Sequence, residues 1–286
     1  MIIFHDPKCV EYSVPGHPER PARIIRTVPL LQDRHPTWQW HEPRAATNAE
    51  LLRAHSSEHI ENVNNPRGDF DLDTPAYPKI YDYARKSAGA GMEAAHATLK
   101  GEHGFVLNRP PGHHATRDRA MGFCYFSNIA VAALDALENG ADRVAIWDFD
   151  AHHGNGTEAI VAHNERIQFA SIHQFPAYPG TGAQSFANVY NYPVASGTPR
   201  KKHVEICKRA LDLLIAFNPS LILVSAGFDA YARDPLVQMT LELEDFATFG
   251  EWLRKIDIPI AAILEGGYSD DLPELIDVFL TSWAGE

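Results

Sequence analysis

The sequence predicts an α/β fold in which a mainly parallel β-sheet is sandwiched between α-helices. Short apolar runs rich in β-branched residues recur along the chain, and amphipathic stretches of helical length separate them. The runs are almost continuously apolar, which is typical of strands that are covered on both faces. Because strands and helices alternate without a linker or a shift in composition, we expect a single domain over residues 1–286.

Five apolar segments are predicted as strands, at 105–107, 144–150, 167–172, 221–225 and 258–264. Trp38 and Trp40 also alternate as strand residues do. Two segments rich in Pro, Gly, Asn and aromatic residues, 62–78 and 174–198, are predicted as loops. In a parallel sheet, the loops that follow the carboxyl ends of the strands form the ligand crevice.

Four long helices are predicted from apolar periodicity, at 77–99, 127–139, 198–217 and 243–255. Gly89 and Gly91 are expected to interrupt the first of them. Thr198 is predicted as the N-cap of the third. A capping-box pattern, in which Thr47 precedes Glu50 by three residues, predicts the start of a further helix.

Composition excludes several classes of protein. The chain has 25 Lys and Arg against 37 Asp and Glu, so its formal net charge of −12 argues against nucleic-acid binding. No apolar run approaches the roughly 18 residues of a membrane span, and the first residues lack the pattern of a secretory signal. The three cysteines, Cys9, Cys124 and Cys207, are scattered, which predicts reduced thiols and a cytoplasmic protein.

Acidic residues and a histidine at two strand ends suggest a metal site. Residues two apart in an extended chain share a face, so Asp148, Asp150 and His152 can converge on one point. A lone Asp-x-Asp is usually a solvated strand end, but here a histidine and glycines follow it. Asp229 follows the strand at 221–225. Two carboxylates and one imidazole leave open positions on a zinc-like ion, as catalysis requires, and iron(II) accepts the same ligands.

Two further loops carry groups that a hydrolytic metal site needs. His113 and His114 lie on a Pro- and Gly-rich loop, where one imidazole could accept a proton from water and the other could protonate a leaving amine. Tyr268 follows two glycines at the end of the strand 258–264, where its hydroxyl could stabilise an oxyanion. Each motif alone is more often an ordinary turn, but all of them lie at strand ends.

Together, these ordered motifs resemble those of the histone deacetylase superfamily. That superfamily includes acetylpolyamine amidohydrolases and bacterial histone-deacetylase-like amidohydrolases, and it has the arginase–deacetylase fold. Further segments that match its pattern are 17–21, 122–128, 179–182 and 234–235. Asn155 and Glu265 resemble the class II branch.

The resemblance implies a role for each residue of the site. The zinc ligands it implies are Asp150, His152 and Asp229. His113 and His114 would form a tandem general acid–base pair, and Tyr268 would polarise the scissile carbonyl. Asp148 resembles the carboxylate that orients His113, and Asn155 takes the place of the partner of His114. An amide stabilises imidazolium less than a carboxylate does, so the division of labour between the histidines stays open.

The resemblance also implies a substrate tunnel and a structural potassium ion. The tunnel residues would be Gly122, Phe123, Tyr178, Leu236 and Gly267. The potassium ligands, mostly backbone carbonyls, would be Asp148, Asp150, His152, Ser171 and Ile172.

We therefore expect a zinc-dependent deacetylase that hydrolyses the amide of acetylated lysine or of a related alkylamine. An acetylpolyamine amidohydrolase is the alternative. Two features disfavour this alternative. Leu236 stands where one polyamine-specific branch has an acidic residue. The segment 59–78 is too short to contain the extra loop of the bacterial polyamine enzymes. An arginase-type ureohydrolase is disfavoured because Tyr231 stands where a second metal needs Asp. An inactive acyl-lysine binder is disfavoured because every expected catalytic group is present.

Overall fold

A computed structural model describes residues 1–286 and contains eight strands and ten α-helices. The strands are β1 (Ile2–Phe4), β2 (Gln39–His41), β3 (Gly104–Val106), β4 (Val144–Asp148), β5 (Ile167–Gln174), β6 (Val189–Val194), β7 (Leu221–Ala226) and β8 (Ile260–Leu264). The helices are α1 (Ala22–Ile25), α2 (Thr27–Arg34), α3 (Asn48–Leu51), α4 (Ser57–Asn64), α5 (Ile80–Thr98), α6 (Asn128–Glu138), α7 (Asn155–Val161), α8 (Arg200–Ala216), α9 (Leu243–Arg254) and α10 (Leu272–Ala284). A 3₁₀ helix, Pro7–Val10, follows β1.

All eight strands belong to one parallel sheet in the order β2-β1-β3-β8-β7-β4-β5-β6. The predicted α/β class with a mainly parallel sheet between helices is confirmed. Four consecutive strands, β3, β8, β7 and β4, occupy the centre of the sheet. Because the sheet is parallel, the carboxyl ends of these four strands lie together at one edge.

The alternation of side chains along β4 shows how the sheet divides two helical layers. Val144 and Ile146 pack in a core that contains residues of α5 and α6, whereas Ala145 and Trp147 pack in a core that contains residues of α8, α9 and α10. Every residue of β4 is buried. Burial on both faces explains why the first four residues of this strand are all apolar, since each large apolar side chain removed from water contributes about 1.5–3 kcal/mol.

Helix α5 runs without a break, so the predicted interruption at Gly89 and Gly91 was wrong. A Cβ atom at Gly89 would lie 2.0 Å from the carbonyl oxygen of Arg44, and one at Gly91 would lie 3.0 Å from Cδ1 of Ile263. The two glycines therefore allow close packing of α5 against a neighbouring segment and the sheet. Their cost in helix propensity, about 1 kcal/mol each, is offset by this contact.

One predicted helix cap is confirmed and another was wrong. Thr47 and Glu50 form the capping box at the start of α3. Helix α8 begins at Arg200, preceded by Pro199, and no side chain caps it. The hydroxyl of Thr198 instead donates a hydrogen bond of 2.7 Å to the carbonyl oxygen of Ala195. The side chain of Thr198 therefore stabilises a local turn and does not cap the helix.

The predicted end of β4 and the predicted loop 174–198 were also wrong. Strand β4 ends at Asp148 rather than at residue 150, because the side chain of Asp148 accepts a hydrogen bond from the backbone N–H of Asp150. The predicted loop 174–198 contains β6, which includes Pro193. This strand lies at the edge of the sheet, where a proline is tolerated because one side of the strand needs no partner.

No helix of this protein combines the length and the apolar character needed to cross a membrane. Cys9, Cys124 and Cys207 are all buried and unpaired. Trp38 is buried, and Trp40 lies on the edge strand β2.

Candidate active site

The predicted catalytic and metal-binding residues follow the four central strands of the sheet. His113 and His114 follow β3, and Tyr268 follows β8. Asp229 follows β7, and the segment from Asp150 to His152 follows β4. These strands are direct neighbours in the order β3-β8-β7-β4. Segments that lie up to 155 residues apart in sequence are therefore brought to one place.

Asp150, His152 and Asp229 form a compact group in which one ligand atom from each residue lies within 4.8 Å of the others. Nδ1 of His152 lies 2.7 Å from Oδ2 of Asp229 and 3.3 Å from Oδ1 of Asp150. Both carboxylates are fully buried, while the side chain of His152 is 11% exposed. This geometry can hold a single metal ion.

The charges of this group favour a bound cation. Burial and the nearby carboxylate of Asp150 raise the pKa of Asp229 to about 7. Burial opposes protonation of His152, but the carboxylate of Asp229 raises the pKa of the imidazole to about 10. Two buried carboxylates beside one imidazole are costly without positive charge. Oxygen and imidazole donors without thiolate fit a catalytic zinc or iron(II) ion.

Backbone groups hold the two carboxylates in place. Oδ1 of Asp229 accepts a hydrogen bond from the N–H of Ala151, and Oδ2 of Asp150 accepts one from the N–H of Gly266, each at 2.7 Å. A Cβ atom at Gly227 would lie 2.0 Å from Oδ2 of Asp150. The absence of a side chain there lets the backbone after β7 approach the carboxylate closely.

The tandem histidines differ in their partners. Nδ1 of His113 donates to the carboxylate of Asp148 at 3.1 Å, and Nδ1 of His114 donates to the amide oxygen of Asn155 at 2.7 Å. The two ring centroids lie 4.1 Å apart. Both rings are therefore held through Nδ1. Nε2 of His113 lies 3.8 Å from Oδ1 of Asp150, whereas Nε2 of His114 is free to act on a substrate.

The different partners separate the protonation states of the two rings. Burial alone would lower the pKa of His113, but the carboxylates of Asp150 and Asp148 raise it well above its ordinary value. Burial, together with the positive charges of His113 and His152, lowers the pKa of His114 well below its ordinary value. These opposite shifts favour a proton on His113 and a neutral ring on His114.

A cavity of about 260 Å³ opens from the metal-binding group to the surface. Its walls contain four of the five predicted tunnel residues: Gly122, Phe123, Tyr178 and Leu236. Gly267 does not line it, and its carbonyl oxygen instead accepts a hydrogen bond of 2.8 Å from Nε of Arg23. His114, His152 and Tyr268 also line the cavity, whereas His113 does not.

Tyr268 is held so that its ring faces the cavity. Its backbone N–H donates to Oδ2 of Asp234 at 2.7 Å, the guanidinium of Arg23 lies 5.0 Å from the ring centroid, and the ring of Phe123 lies at 5.7 Å. Burial raises the pKa of the Tyr268 hydroxyl well above its ordinary value. The hydroxyl therefore keeps its proton and can donate a hydrogen bond.

Two of the residues predicted to bind potassium, Asp150 and His152, belong to the metal-binding group, and the other three lie on β4 and β5. Asp148 and Ser171 are register partners on β4 and β5, and Ile172 follows on β5. Asp148, Ser171 and Ile172 are fully buried.

Sequence reasoning missed three residues of the cavity wall, His17, Pro18 and Asp73. Nε2 of His17 lies 3.1 Å from the backbone carbonyl oxygen of Asp73, 56 residues away. The segment 17–21 matches the family pattern, but nothing in the sequence indicates that the segment before α5 folds back onto it. Asp73 places a carboxylate beside the entrance that Leu236 leaves apolar.

Similarity to known proteins extends over nearly the whole chain. Residues 17–281 match the histone deacetylase domain. A probable deacetylase of Methanothermobacter thermautotrophicus is 36% identical, over 95% of this chain and 86% of that protein. A histone deacetylase-like amidohydrolase of Pseudomonas aeruginosa is 35% identical, over 89% of this chain and 73% of that protein. The crystal structure of an acetylpolyamine aminohydrolase from Burkholderia pseudomallei, 25% identical, superposes with a TM-score of 0.91 over 99% of this chain and 98% of that one.

Proposed function

The chain belongs to the histone deacetylase family, and on that premise we propose that it is a zinc-dependent deacetylase. Its substrate would be an acetylated lysine side chain or a related acetylated alkylamine, and its products the free amine and acetate. One observation carries this proposal: the group of Asp150, His152 and Asp229 lies at a cavity that His114 and Tyr268 also line. A metal, a base and an oxyanion donor are the three components that metal-assisted amide hydrolysis requires.

Asp150, His152 and Asp229 would hold the ion, which when bound would polarise the acetyl carbonyl and lower the pKa of a water molecule. We assign the proton transfers to His114. It lines the cavity, its low pKa keeps it neutral, and its Nδ1–H is occupied by Asn155. Nε2 of His114 can therefore accept the proton of water and then donate it to the leaving amine.

His113 and Tyr268 stabilise negative charge and do not transfer a proton to the leaving group. The cationic ring of His113, held by Asp148, lies behind His114 and balances the negative charge of the buried carboxylates. The Tyr268 hydroxyl donates a hydrogen bond to the developing oxyanion of the acetyl group. Phe123 and Tyr178 form walls along the apolar methylene stem of the substrate.

We also propose that a potassium ion binds among Asp148, Asp150, His152, Ser171 and Ile172. The support is local: β4 and β5 place Asp148 beside Ser171 in a fully buried position.

Acetylpolyamine hydrolysis is the second candidate, and one observation favours it. The carboxylate residue Asp73 lines the cavity, where it could attract the additional ammonium groups of a polyamine. Leu236 lines the same entrance, and its apolar side chain cannot form an ion pair or a hydrogen bond with an ammonium group. We therefore propose that acetyl-lysine substrates are preferred.

A comparison of His114→Ala with the unaltered enzyme tests the proposed chemistry. Acetate release from an acetyl-lysine peptide should fall by about 100-fold or more, since a general base typically contributes 10²–10⁴-fold. Thermal unfolding and metal content, measured on the same samples, should stay unchanged. Full turnover by the variant would refute the proposed role of His114.

A further inference from the structure

Glu265 is a fully buried carboxylate that the proposed reaction does not use. It precedes the Gly266–Tyr268 segment at the end of β8. Its Oε2 atom accepts hydrogen bonds from two consecutive backbone N–H groups, those of Gly112 at 2.7 Å and His113 at 3.1 Å. Its Oε1 atom lies 3.4 Å from Oγ of Ser225 on β7. One side chain thus joins β8, β7 and the loop that carries the catalytic histidines.

The backbone around Glu265 is itself tied to the site. The guanidinium of Arg23 donates hydrogen bonds to the carbonyl oxygens of Glu265 and Gly267. The N–H of Gly266 donates to Asp150. Glu265 therefore belongs to a rigid segment whose position is fixed relative to both Tyr268 and the metal-binding group.

Glu265 provides one of several attachments of the histidine loop, which is also held by hydrogen bonds from the N–H groups of Gly156 and Thr157 to the carbonyl oxygen of His113, at 2.9 and 3.1 Å. On its other side, Oγ of Ser87 and Nδ2 of Asn128 donate to the carbonyl oxygen of Pro110, at 2.9 and 3.1 Å. The N–H groups of Gly112 and His113 have Glu265 as their acceptor. Without an acceptor, two buried N–H groups would be unsatisfied, at a cost that favours movement of the loop.

We propose that Glu265 is a positioning residue for this amide hydrolysis. Its Oε2 atom fixes the backbone of the histidine loop relative to Tyr268, so that His113 reaches Asp148 and His114 faces the cavity. This role rests on the proposed deacetylase function. It explains why a carboxylate is buried at this point of the fold, where an apolar residue would fill the space without accepting either hydrogen bond.

The role requires an acceptor atom rather than a negative charge. Burial raises the pKa of Glu265 to about 7, although the positive charge of His113 and the N–H of Gly112 oppose the shift. A proton on Oε1 leaves Oε2 able to accept both hydrogen bonds. Glutamine offers the same acceptor from its amide oxygen and can turn its NH₂ group toward Ser225.

Two variants of similar size separate these possibilities. Glu265→Gln should keep kcat for an acetyl-lysine peptide within about threefold of the unaltered enzyme. Glu265→Met should lower kcat by about tenfold or more with little change in KM, because misplaced catalytic groups reduce turnover rather than binding. Ser225→Ala, which removes only the contact to Oε1, should behave like the unaltered enzyme. A Met variant with unchanged kcat, or a Gln variant as impaired as the Met variant, would overturn the proposal.

Amide hydrogen exchange supplies a test that does not depend on activity. The N–H groups of Gly112 and His113 should be protected in the unaltered protein and in Glu265→Gln, and should lose protection in Glu265→Met. Equal protection in all three would overturn the positioning role. If the unaltered enzyme released no acetate, the proposed function would fail while this measurement still decided the role of Glu265. Should Glu265→Met not fold, the Gln variant decides: retained kcat and protection support the role, and loss of either refutes it.

Discussion

Nδ1 of His114 lies 2.7 Å from the amide oxygen of Asn155, an atom that can only accept a hydrogen bond. The neutral imidazole must therefore carry its proton on Nδ1 and present the lone pair of Nε2 to the cavity. The neighbouring His113 faces the carboxylate of Asp148 instead. Because a carboxylate stabilises imidazolium more than an amide does, the two histidines share a motif but differ in charge.

This pairing predicts the effect of Asn155→Asp on the pH profile. A carboxylate beside Nδ1 should raise the pKa of His114, and a base with a higher pKa is protonated over more of the acidic range. The acid limb of kcat/KM against pH should therefore move to higher pH. Asn155→Ala is the control, because it removes the acceptor without adding charge. An acid limb that stays in place in Asn155→Asp would argue against His114 as the base.

Tyr268→Phe should lower kcat by about 100-fold or more, as the loss of one oxyanion donor does. The hydroxyl contributes no hydrogen bond to the fold, while the ring contacts Phe123 and Arg23, so stability should change little. Steady-state kinetics and a thermal melt of the same preparation measure the two effects. Near-normal turnover by the phenylalanine variant would remove Tyr268 from the mechanism.

Leu236→Glu should shift the substrate preference toward acetylpolyamines. The new carboxylate at the cavity entrance would attract the ammonium groups of a polyamine, and Leu236→Gln controls for size and polarity. We expect kcat/KM for acetylspermidine relative to an acetyl-lysine peptide to rise about tenfold in the Glu variant, or about 1.4 kcal/mol. An unaltered enzyme that already prefers acetylspermidine tenfold would contradict the assigned substrate class.

His203 should make the fold sensitive to acid. Burial in α8 lowers its pKa to about 4, whereas in the unfolded chain a histidine titrates near 6.5. The unfolded state therefore binds an additional proton between about pH 6.5 and 4, and the free energy of unfolding should fall by up to about 1.4 kcal/mol per pH unit from this group. His203→Leu should reduce that slope. Urea titrations from pH 7 to 4.5 measure it, and an identical slope in both proteins would contradict the burial of an uncharged ring.

The catalytic and metal-binding residues could be predicted from the sequence because they occur in short motifs. Asp150 and His152 lie two residues apart directly after an apolar strand, and His113 and His114 are adjacent. A parallel sheet brings such strand ends to one edge whatever the length of chain between them. The strand order, which places the ends of β3, β8, β7 and β4 side by side, depends on long-range pairing that no local pattern reveals.

Residues whose roles depend on distant partners could not be predicted. Asp73 reaches the cavity because its backbone contacts His17, and Glu265 meets the N–H of Gly112 across more than 150 residues. Strand β1 has only three residues, too few for a periodic signal. Gly89 weakens the helical pattern of α5, yet it is required there because the backbone of Arg44 lies where a side chain would be.

Metal content measured together with acetate release tests the central claim most directly. The unaltered protein should contain about one divalent ion per chain, and Asp229→Ala should lose ion and activity together, because three protein ligands are the usual minimum for a catalytic site. Chelation should abolish acetate release from an acetyl-lysine peptide, and zinc should restore it. Stoichiometric metal in Asp229→Ala, or full turnover by the metal-depleted enzyme, would contradict the account.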